Sequence, residues 1–588
     1  MIAILTDKPN VGKEIAKIVG AHKFEKGYMA GNGYLVTWTF GNMLSLAMPK
    51  DYGNARLERE DFPLVPEDFH LMVKHTKTDE GWIPDINAVM QLKTIEKVFA
   101  QCDTIIAATD ASREGEMVFR YLYSYLGCKQ PVLRLWISSL TDEAVRKGME
   151  NLLPLRMFDN LFLASDSRNK ADWLLGVNAS YAVCKATGLG NNSLGRVQTP
   201  VLAAISSRYR ERENHIGMDA WPVYIQIYKG DILLKMRCTD GLHDRETALR
   251  FYNDCKHAEQ ARITAVNRRT KEIQPPALYN LTELQKDASR YYGLTAGQVH
   301  DIAQSLYEKK LISYPRTAGR HISRDVYDTL PVVMERALTW KELRPYVKSL
   351  GINLSRLPEH VIDNDCLREH PAIIITGVCP ERLEKMEMQV YMLVIGRMLE
   401  AFMSPCRVEY TTVEAVCAAR KFRVQAGHIL EKGWHAIFER ESAVIPQDCT
   451  PIKLPEMQIG ETLPMAACNL VYKKDLPVSP FTDAELIDYM DTAGLGTVAT
   501  RSNIIQTLID RKYIRYSGRY IIPTRKGLYI YETVRGMKIA NAALTSGWEA
   551  RLTRMERGEL TPQAFLDGAK RLAKEVTDDI FRIYGPDK

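Results

Sequence analysis

Along residues 1–150, the hydrophobic and polar positions alternate between a strand pattern and a helix pattern. Short apolar runs at 2–5 and 104–108 predict buried strands, and apolar residues three or four apart at 11–19 and 114–126 predict helices. Strands that alternate with helices are typical of a parallel sheet with helices on its faces. In such sheets ligands gather at the carboxyl ends of the strands. We therefore predict an α/β domain at the start of the chain.

The rest of the chain changes pattern several times. Short strands separated by turn residues fill 215–270 and return at 408–472, with a mostly helical block at 278–405 between them. The simplest arrangement is one β domain built from two segments that hold the helical block. We expect a multidomain α/β and α+β protein. The predicted domains are 1–150 (α/β), 151–214 (helical, first part), 215–277 (β, first part), 278–405 (helical, carrying Tyr314), 406–475 (β, second part) and 476–588 (helical, second part).

The residues after the helical pattern at 296–309 carry a tyrosine and an arginine two positions apart, Tyr314 and Arg316. Pro315 excludes Tyr314 from helical geometry, so the segment should be extended. On an extended chain residues two apart point to the same side. Arg316 should therefore lie beside the Tyr314 hydroxyl, as phosphotyrosine chemistry would require. A half-buried tyrosine at a helix end is the alternative.

Acidic residues follow two strands of the predicted sheet. Asp7 comes after the first strand, and Asp110 and Glu114 come after the strand at 104–108. Carboxylate oxygens at strand ends suit Mg²⁺, which keeps several waters and takes one or two carboxylates. Acidic residues in the first turn of a helix also stabilise the helix dipole, and this reading stays open.

Basic and polar residues indicate a polyanion partner. Arg168 and Asp172 lie four apart on one predicted helix and share a face. Ser193, Arg196 and Gln198 stand at a helix start, where backbone N–H groups bind phosphate or where a cap is needed. The stretch 511–526 mixes basic residues with Tyr513, Tyr516 and Tyr520 and contains no acid. Basic side chains with stacking aromatics suit single-stranded nucleic acid, and we prefer this to a merely solvated surface.

The composition narrows the class of protein. The chain has 588 residues, 46% hydrophobic and 26% charged, with a net charge of +6, as is usual for soluble globular proteins. No run is long enough to span a membrane and no signal peptide is evident, so we expect a cytoplasmic protein. The eleven cysteines form no Cys-x-x-Cys pair, which argues against a zinc ribbon and for free thiols. No phosphate-binding G-x-x-x-x-G-K-[ST] loop is present, so ATP-driven chemistry has no support.

Taken in order, these motifs resemble the type IA DNA topoisomerases, and the topoisomerase III branch in particular. The resemblance runs over nearly the whole chain. It is carried by the segments 7–9, 110–116, 168–173, 193–200, 313–317, 368–374, 494–501 and 547–549.

The resemblance implies a Toprim domain followed by a toroid with a central hole for DNA. The first and last helical parts would form the strand-binding domain, and the β domain would be its gate or hinge. It also implies a role for each matching residue. Tyr314 would be the nucleophile and Arg316 its partner; Asp110 and Glu114, with Asp7 and Ser112, would form the metal site; Lys8, Asp7 and His370 would assist the chemistry; Arg134, Arg168 and Asp172 would orient the site or the strand; Ser193, Arg196, Gln198, Thr500 and Arg501 would contact single-stranded DNA.

Two residues depart from the pattern of the family. Asp7 stands where the family has glutamate, and Ser112 replaces the middle aspartate of D-x-D-x-E. A shorter acid and one negative charge fewer predict weaker Mg²⁺ affinity. The zinc-ribbon tail of many relatives is absent, so auxiliary strand binding is expected from the body of the protein.

The function expected from the resemblance is Mg²⁺-dependent cleavage of one DNA strand through a 5′-phosphotyrosyl link, then strand passage and resealing. Phosphate transfer to tyrosine conserves the ester, so no ATP is needed. We expect a monomer, nucleoid-associated, that acts on single-stranded and negatively supercoiled DNA to relax or decatenate it. A helicase or the machinery of a mobile element is an open choice of partner. A Toprim nuclease or primase, or a non-catalytic single-strand-binding protein, are the alternatives.

Overall fold

The fold is taken from a computed structural model of the chain. It describes residues 1–53, 57–78, 81–188, 190, 192–242, 244–341, 343, 358–363, 370–440 and 443–584. Arg368 and Glu369 of the predicted 368–374 motif lie outside the described residues. None of the described helices is long and apolar enough to cross a membrane.

The N-terminal domain is the α/β unit that the sequence predicts. Its sheet has the order β11-β10-β9-β1-β4-β3-β2, in which β4, β1, β9 and β10 run parallel. Leu5 pairs with Ala107, so β1 and β9 end side by side and present Asp7 and Asp110 at one edge. Its elements are β1 (Ile2–Thr6), α1 (Pro9–Val19), β2 (Lys23–Glu25), β3 (Tyr28–Gly31), β4 (Tyr34–Trp38), β5 (Leu44–Leu46), β6 (Leu71–Val73), β7 (His75–Thr78), β8 (Gly81–Pro84), α2 (Ile86–Ala100), β9 (Thr104–Ala107), α3 (Arg113–Tyr125), β10 (Val132–Arg134), α4 (Asp142–Glu150) and β11 (Leu153–Pro154).

Two helices lead out of this domain, α5 (Asp159–Thr187) and α6 (Gln198–Glu213). Helix α5 extends beyond the predicted 165–177 at both ends. It lies against α3 and against two helices from the end of the chain. Because neighbours cover it on more than one side, small and apolar residues occur around its circumference and the amphipathic pattern is weak.

The β domain is a closed barrel with strand order β12-β13-β16-β15-β14-β17. It draws strands from both predicted segments, and the long β14 and β15 pair along most of their length. All ten cysteines that the structure describes are free thiols, as the sequence predicts. The barrel elements are β12 (Val223–Lys229), β13 (Ile232–Cys238), α7 (Arg245–Cys255) and β14 (Gln260–Ile273), and after the insertion β15 (Cys406–Cys417), β16 (Arg420–Glu431) and β17 (Thr462–Leu470).

The helical insertion between β14 and β15 carries Tyr314. Helix α9 begins at a capping box, in which Thr295 and Gln298 satisfy each other's backbone N–H groups. It ends at Glu308, one residue before the predicted end, and the Tyr314 segment follows. The helices of this domain are α8 (Leu281–Tyr292), α9 (Ala296–Glu308), α10 (Arg324–Ala337) and α11 (Lys385–Phe402).

The last part of the chain has a winged-helix outline, with a sheet of order β18-β20-β19. Helices α8 and α9 of the insertion pack on α12 and α13 of this part, and the barrel is joined to both, so the domains close a ring. The elements are β18 (Phe481–Thr482), α12 (Asp483–Thr492), α13 (Arg501–Asp510), β19 (Ile514–Ser517), β20 (Tyr520–Pro523), α14 (Arg525–Val534), α15 (Ala542–Glu556) and α16 (Pro562–Tyr584).

Two helical glycines of the insertion provide a test of its packing. A Cβ on Gly396 would meet the Phe438 ring, with Cε2 at 2.8 Å, whereas a Cβ on Gly297 would meet nothing within 4 Å. Gly396→Ala should lower the free energy of unfolding by about 1–3 kcal/mol through overpacking. Gly297→Ala should leave it unchanged or raise it by up to about 1 kcal/mol. Denaturant unfolding measures both, and equal effects would contradict this packing.

Candidate active site

The Tyr314 segment lies between the insertion and the N-terminal domain. Ile312 forms an isolated bridge with Ile375, bends follow at Pro315 and Arg316, and the Tyr314 N–H donates to the Ser138 carbonyl of the N-terminal domain at 2.9 Å. The ring packs edge-on against Tyr307, with 5.5 Å between centroids, and against His370 at 4.5 Å. Only 2% of Tyr314 is exposed. These contacts hold the ring in place. The hydroxyl is the part of the side chain that remains available for chemistry.

The Tyr314 hydroxyl donates to Asp110 Oδ2 at 3.2 Å, and Arg316 Nη1 donates to the same oxygen at 3.2 Å. The tyrosine and arginine side chains therefore meet at one carboxylate, although the backbone bends at Pro315 and Arg316 instead of staying extended. Burial, and then the charge of Asp110, raise the pKa of Tyr314 well above its ordinary value, while Arg316 opposes the shift. The phenol is thus protonated, and Asp110 is the group placed to accept its proton.

Asp7 lies beside Asp110 at the end of the neighbouring strand. Burial and the charge of Asp110 raise the pKa of Asp7 to about 7, against the opposing effects of Lys8 and Arg316. Asp7 therefore carries a proton in a substantial fraction of molecules at neutral pH. The two acids are held close enough that one of them favours the neutral form.

Several buried polar atoms around the Tyr314 hydroxyl have no hydrogen-bond partner among the described residues. They are Lys8 Nζ, Arg316 Nε and Asp7 Oδ1. The Lys8 ammonium lies 3.7 Å from a Glu308 carboxylate oxygen, beyond hydrogen-bond range. Buried polar atoms are nearly always satisfied, and a charged ligand would supply partners for these three. The two cations suit a phosphate.

His370 forms one wall of the site. Its Nε2 is hydrogen-bonded to the Ala111 carbonyl, and burial lowers its pKa. A carbonyl only accepts, so Nε2 carries the proton and Nδ1 is left to accept one. The ring stacks between Trp136 and Tyr314. His370 thus orients the tyrosine ring in addition to any part in proton transfer.

Arg134 lies beneath the turn that presents Asp110. It is fully buried, and it donates to the carbonyls of Ala107, Thr109 and Asp110 at 2.7–2.9 Å and to Glu116 at 3.1 Å. A guanidinium engaged in this way has no surface to offer a strand. Of the two roles that the resemblance implies for Arg134, orienting the site fits these contacts and direct contact with a DNA strand does not.

The predicted metal ligands are not assembled as one cluster. The Glu114 carboxylate binds Arg168 Nη1 at 3.1 Å, and Ser112 Oγ accepts from the Gly115 N–H as the N-cap of α3. The described part of the chain holds no group of three or more acidic, histidine or cysteine side chains with metal-binding geometry. Asp7 and Asp110 remain the acids that share the Tyr314 site, and Glu114 faces the opposite charge of Arg168.

A second cluster of charged residues connects helix α5 with the last part of the chain through ion pairs. Arg196, 2% exposed, binds Asp172 at 2.7 Å and Glu549 at 3.1 Å, with its guanidinium 5.3 Å from the Trp548 ring centroid. Glu549 also accepts from Arg113 Nη1 at 3.2 Å. Arg196 is therefore held by acids rather than presented to a strand. The sequence analysis assigned no role to Glu549 or Arg113, although they lie in the motif segments 547–549 and 110–116.

The other predicted strand contacts lie in the loops beside α6 and α13. Gln198 Nε2 donates to Ser193 Oγ at 3.1 Å, and Thr500 Oγ1 accepts from the Thr497 N–H at 2.9 Å. Arg501, 5% exposed, binds Asp491 and, at 2.9 Å, Thr282 of α8. Arg501 thus joins α13 to the insertion, and direct strand contact by it is corrected to this bridging role.

The predicted stacking surface at 511–526 is wrong for two of its tyrosines. Tyr513 is buried, and its hydroxyl accepts from the Ser193 N–H at 2.7 Å and donates to the Ser193 carbonyl at 3.1 Å. The Tyr516 hydroxyl donates to Asp483 at 3.0 Å. Both brace neighbouring loops, which spacing along one segment does not reveal. Tyr520, under the Arg519 guanidinium, is left at the surface.

A buried tyrosine hydrogen-bonded to an acid at a strand end, with Arg316 and Lys8 close to that acid, suits phosphate-ester chemistry. Comparison with known proteins identifies the class. A family model described as DNA topoisomerase matches residues 156–567, and a Toprim domain model matches residues 2–140. The chain therefore belongs to the type IA DNA topoisomerases.

Within that family the chain is similar to proteins named DNA topoisomerase 3. It is 31% identical to the one from Bacillus cereus and 30% identical to the one from Bacillus subtilis, in each case over 98% of this chain and 81% of the relative. Among solved structures, full-length topoisomerase I from Thermotoga maritima has the same fold, with a TM-score of 0.74 at 19% identity, covering 98% of this chain and 90% of that one. The function is that of a topoisomerase III-like type IA enzyme acting on DNA.

The Glu549 pairs give a pH-dependent prediction. Although burial alone would raise the pKa of Glu549, the charges of Arg168, Arg196 and Arg113 lower it below its ordinary 4.5. A lowered pKa in the folded state stabilises the protein above pH 4.5, and this stabilisation is lost as pH falls through the folded value. Glu549→Gln should therefore cost about 1–3 kcal/mol of unfolding free energy at pH 7, with a smaller cost at lower pH.

Glu559→Gln is the matched control, because Glu559 pairs with Arg554 at the surface, where both side chains are half exposed. It should change the unfolding free energy little at any pH. Denaturant unfolding from pH 7 down to pH 4 compares the two variants. A Glu549→Gln effect that is independent of pH would contradict the assigned ion pairs.

Proposed function

We propose that Tyr314 is the nucleophile that takes up the broken DNA end. The supporting observation is its hydroxyl, hydrogen-bonded to Asp110 in a buried site where the Lys8 ammonium, the Arg316 Nε and the Asp7 Oδ1 have no hydrogen-bond partner among the described residues. Two buried cations next to a protonated phenol and its proton acceptor match the demands of attack on a phosphodiester. A structural tyrosine would not need them.

The proposed reaction conserves the ester. The Tyr314 oxygen bonds to phosphorus as its proton passes to Asp110, and the bond from phosphorus to the 3′ oxygen breaks. The leaving 3′ oxygen takes a proton, for which Asp7 is the proposed donor because its raised pKa lets it carry one near neutral pH. Lys8 and Arg316 stabilise the charge on phosphorus. The reverse sequence reseals the strand, so no ATP is consumed.

Magnesium is the proposed cofactor. Asp110 and Asp7 offer carboxylate oxygens, and one oxygen of Asp7 has no hydrogen-bond partner in the described structure, so these acids fit a cation that needs few carboxylates. Asp110 and Glu114 would hold it, with Asp7 beside them. When bound, Mg²⁺ supplies positive charge to the phosphate. Glu114 is paired with Arg168, a side chain that would then be available to a strand.

The strand is proposed to lie along α5 and the loop before α6. Arg168, Ser193, Gln198 and Thr500 are the predicted contacts that keep a partly exposed surface. Asp172 and Arg196 would hold the shape of this groove. Because such contacts release counterions, strand binding should weaken with salt.

The closed ring supports a gate mechanism. The Tyr314 segment and Asp110 belong to different domains, so separating the insertion from the Toprim domain would open a cut strand for passage of another. We propose that the enzyme relaxes negative supercoils or decatenates DNA in this way, as a monomer associated with the nucleoid in the cytoplasm. A helicase or the machinery of a mobile element is the proposed kind of partner.

The nucleophile has a direct test. Tyr314→Phe removes the attacking oxygen and keeps the ring, so it should bind single-stranded DNA normally and give no covalent complex in a denaturant-trapped cleavage assay. Tyr307→Phe is the matched control, because Tyr307 packs on Tyr314 without touching Asp110. It should retain cleavage. A full-strength complex from Tyr314→Phe would refute the assignment, and linear products from it would favour a Toprim nuclease.

Ser112, which stands where the family has aspartate, allows a test of the metal site. Ser112→Asp restores one carboxylate and keeps an N-cap for α3, so the Mg²⁺ concentration for half-maximal plasmid relaxation should fall, by roughly two- to tenfold for one added charge. Ser112→Ala, which adds no charge, should not lower it. A Mg²⁺ titration of relaxation compares the three proteins. An unchanged or raised midpoint for Ser112→Asp would exclude position 112 from the metal site.

A further inference from the structure

Lys310 has an unusual backbone conformation four residues before Tyr314. Its φ is +61°, in the left-handed region that favours glycine. It closes α9, with the Lys310 N–H donating to the Tyr307 carbonyl and the Leu311 N–H to the Leu306 carbonyl, both at 2.9 Å. Helices that end in this way usually have glycine at the position of Lys310. Lys310 therefore occupies a position whose backbone conformation favours glycine over lysine.

The Lys310 side chain crosses to the Toprim domain. Its ammonium binds Glu14 of α1 at 2.8 Å and Asp142 of α4 at 2.7 Å, and 18% of the side chain is exposed. Although burial alone would lower it, the hydrogen bonds to Asp142 and Glu14 raise the pKa of Lys310, so the side chain is charged. Both partners lie in the domain from which the Tyr314 segment must separate if the ring is to open.

Lys512 provides an internal comparison. It closes α13 in the same way, with a φ of +60°, and its carbonyl accepts from Thr524 Oγ1 just as the Lys310 carbonyl accepts from Thr376 Oγ1. The described residues include no ion-pair partner for Lys512. Backbone and residue type are thus matched at the two positions. What distinguishes Lys310 is its pair of acidic partners in another domain.

We propose that Lys310 is a positioning residue that latches the Tyr314 segment onto the Toprim domain and so sets how often the two separate. The consequence for strand passage rests on the proposed function; the latch itself does not. An ammonium held by two carboxylates adds attraction across the interface without apolar burial. Such attraction is screened by salt and is lost as a unit when the domains part.

One amide reports on this separation directly. The Tyr314 N–H donates to Ser138 across the interface, so its hydrogen exchange requires the segment to leave the Toprim domain. Exchange of the peptide 311–317, measured by mass spectrometry without DNA, should be about three- to tenfold faster in Lys310→Gly than in the wild type. Lys512→Gly should leave that peptide unchanged. Each variant places glycine at a position with a left-handed backbone and so removes the same backbone strain. Neither variant should therefore lower the melting temperature.

A second variant removes the charges from the other side. Glu14→Gln combined with Asp142→Asn keeps Lys310 and its backbone, and it should reproduce the faster exchange. Raised salt should accelerate exchange in the wild type and have less effect in both latch variants. Exchange equal to that of Lys512→Gly in either latch variant would overturn the proposal. So would unchanged exchange together with weaker oligonucleotide binding, which would assign Lys310 to the DNA instead.

The activity measurement separates this proposal from the nucleophile assignment. With DNA, Lys310→Gly should change the fraction trapped as covalent complex at least twofold relative to the wild type. If Tyr314→Phe still forms a covalent complex, the proposed function fails, but the exchange result stands. If exchange is unaffected while Tyr314→Phe abolishes the complex, the latch fails and the proposed function stands.

Discussion

The hydrogen bond between the Tyr314 hydroxyl and Asp110 is the contact on which the rest of the structure depends. Its two halves come from different domains, joined through a ring that includes the barrel and the C-terminal helices. The site is therefore complete only when the ring is closed. Opening the ring would separate the proposed nucleophile, Tyr314, from Asp110, which is the property required of an enzyme that must hold a cut strand apart and then reseal it.

Ion pairs and hydrogen bonds beneath the site hold Asp110 in position. Arg134 satisfies the carbonyls of the turn that bears Asp110, and Glu116 balances its charge in the interior. Around the hydroxyl, by contrast, buried polar atoms of Lys8 and Arg316 have no hydrogen-bond partner in the described structure. Unsatisfied groups are costly to bury, and a bound phosphate would supply partners for these two.

Local chemistry made much of the fold predictable. Pro315 and the capping box of α9 define the backbone on either side of the Tyr314 segment, and the apolar runs of β1 and β9 place Asp7 and Asp110 at one sheet edge. The strand patterns on both sides of the insertion predict one β domain from two segments, whereas its closure into a barrel is seen only in the structure. The domain boundaries and the roles of the site residues stay predictions.

Contacts between distant segments were not predictable in the same way. Glu114 faces Arg168 instead of joining Asp110, and Arg196 is enclosed by Asp172 and Glu549, because the partners come from other helices. Tyr513 appeared free for stacking, yet it braces the loop at Ser193, 320 positions away. Residue type and spacing indicate what a side chain can do, and the tertiary partner decides what it does.

The central claim is that a DNA end is held on Tyr314. Its most direct test is to trap the covalent complex with a short single-stranded oligonucleotide, digest the protein and sequence the adduct by mass spectrometry. The account predicts a peptide containing Tyr314 with the nucleotides from the 3′ side of the break, joined through their 5′ phosphate. An adduct on another residue, or one joined through a 3′ phosphate, would contradict it.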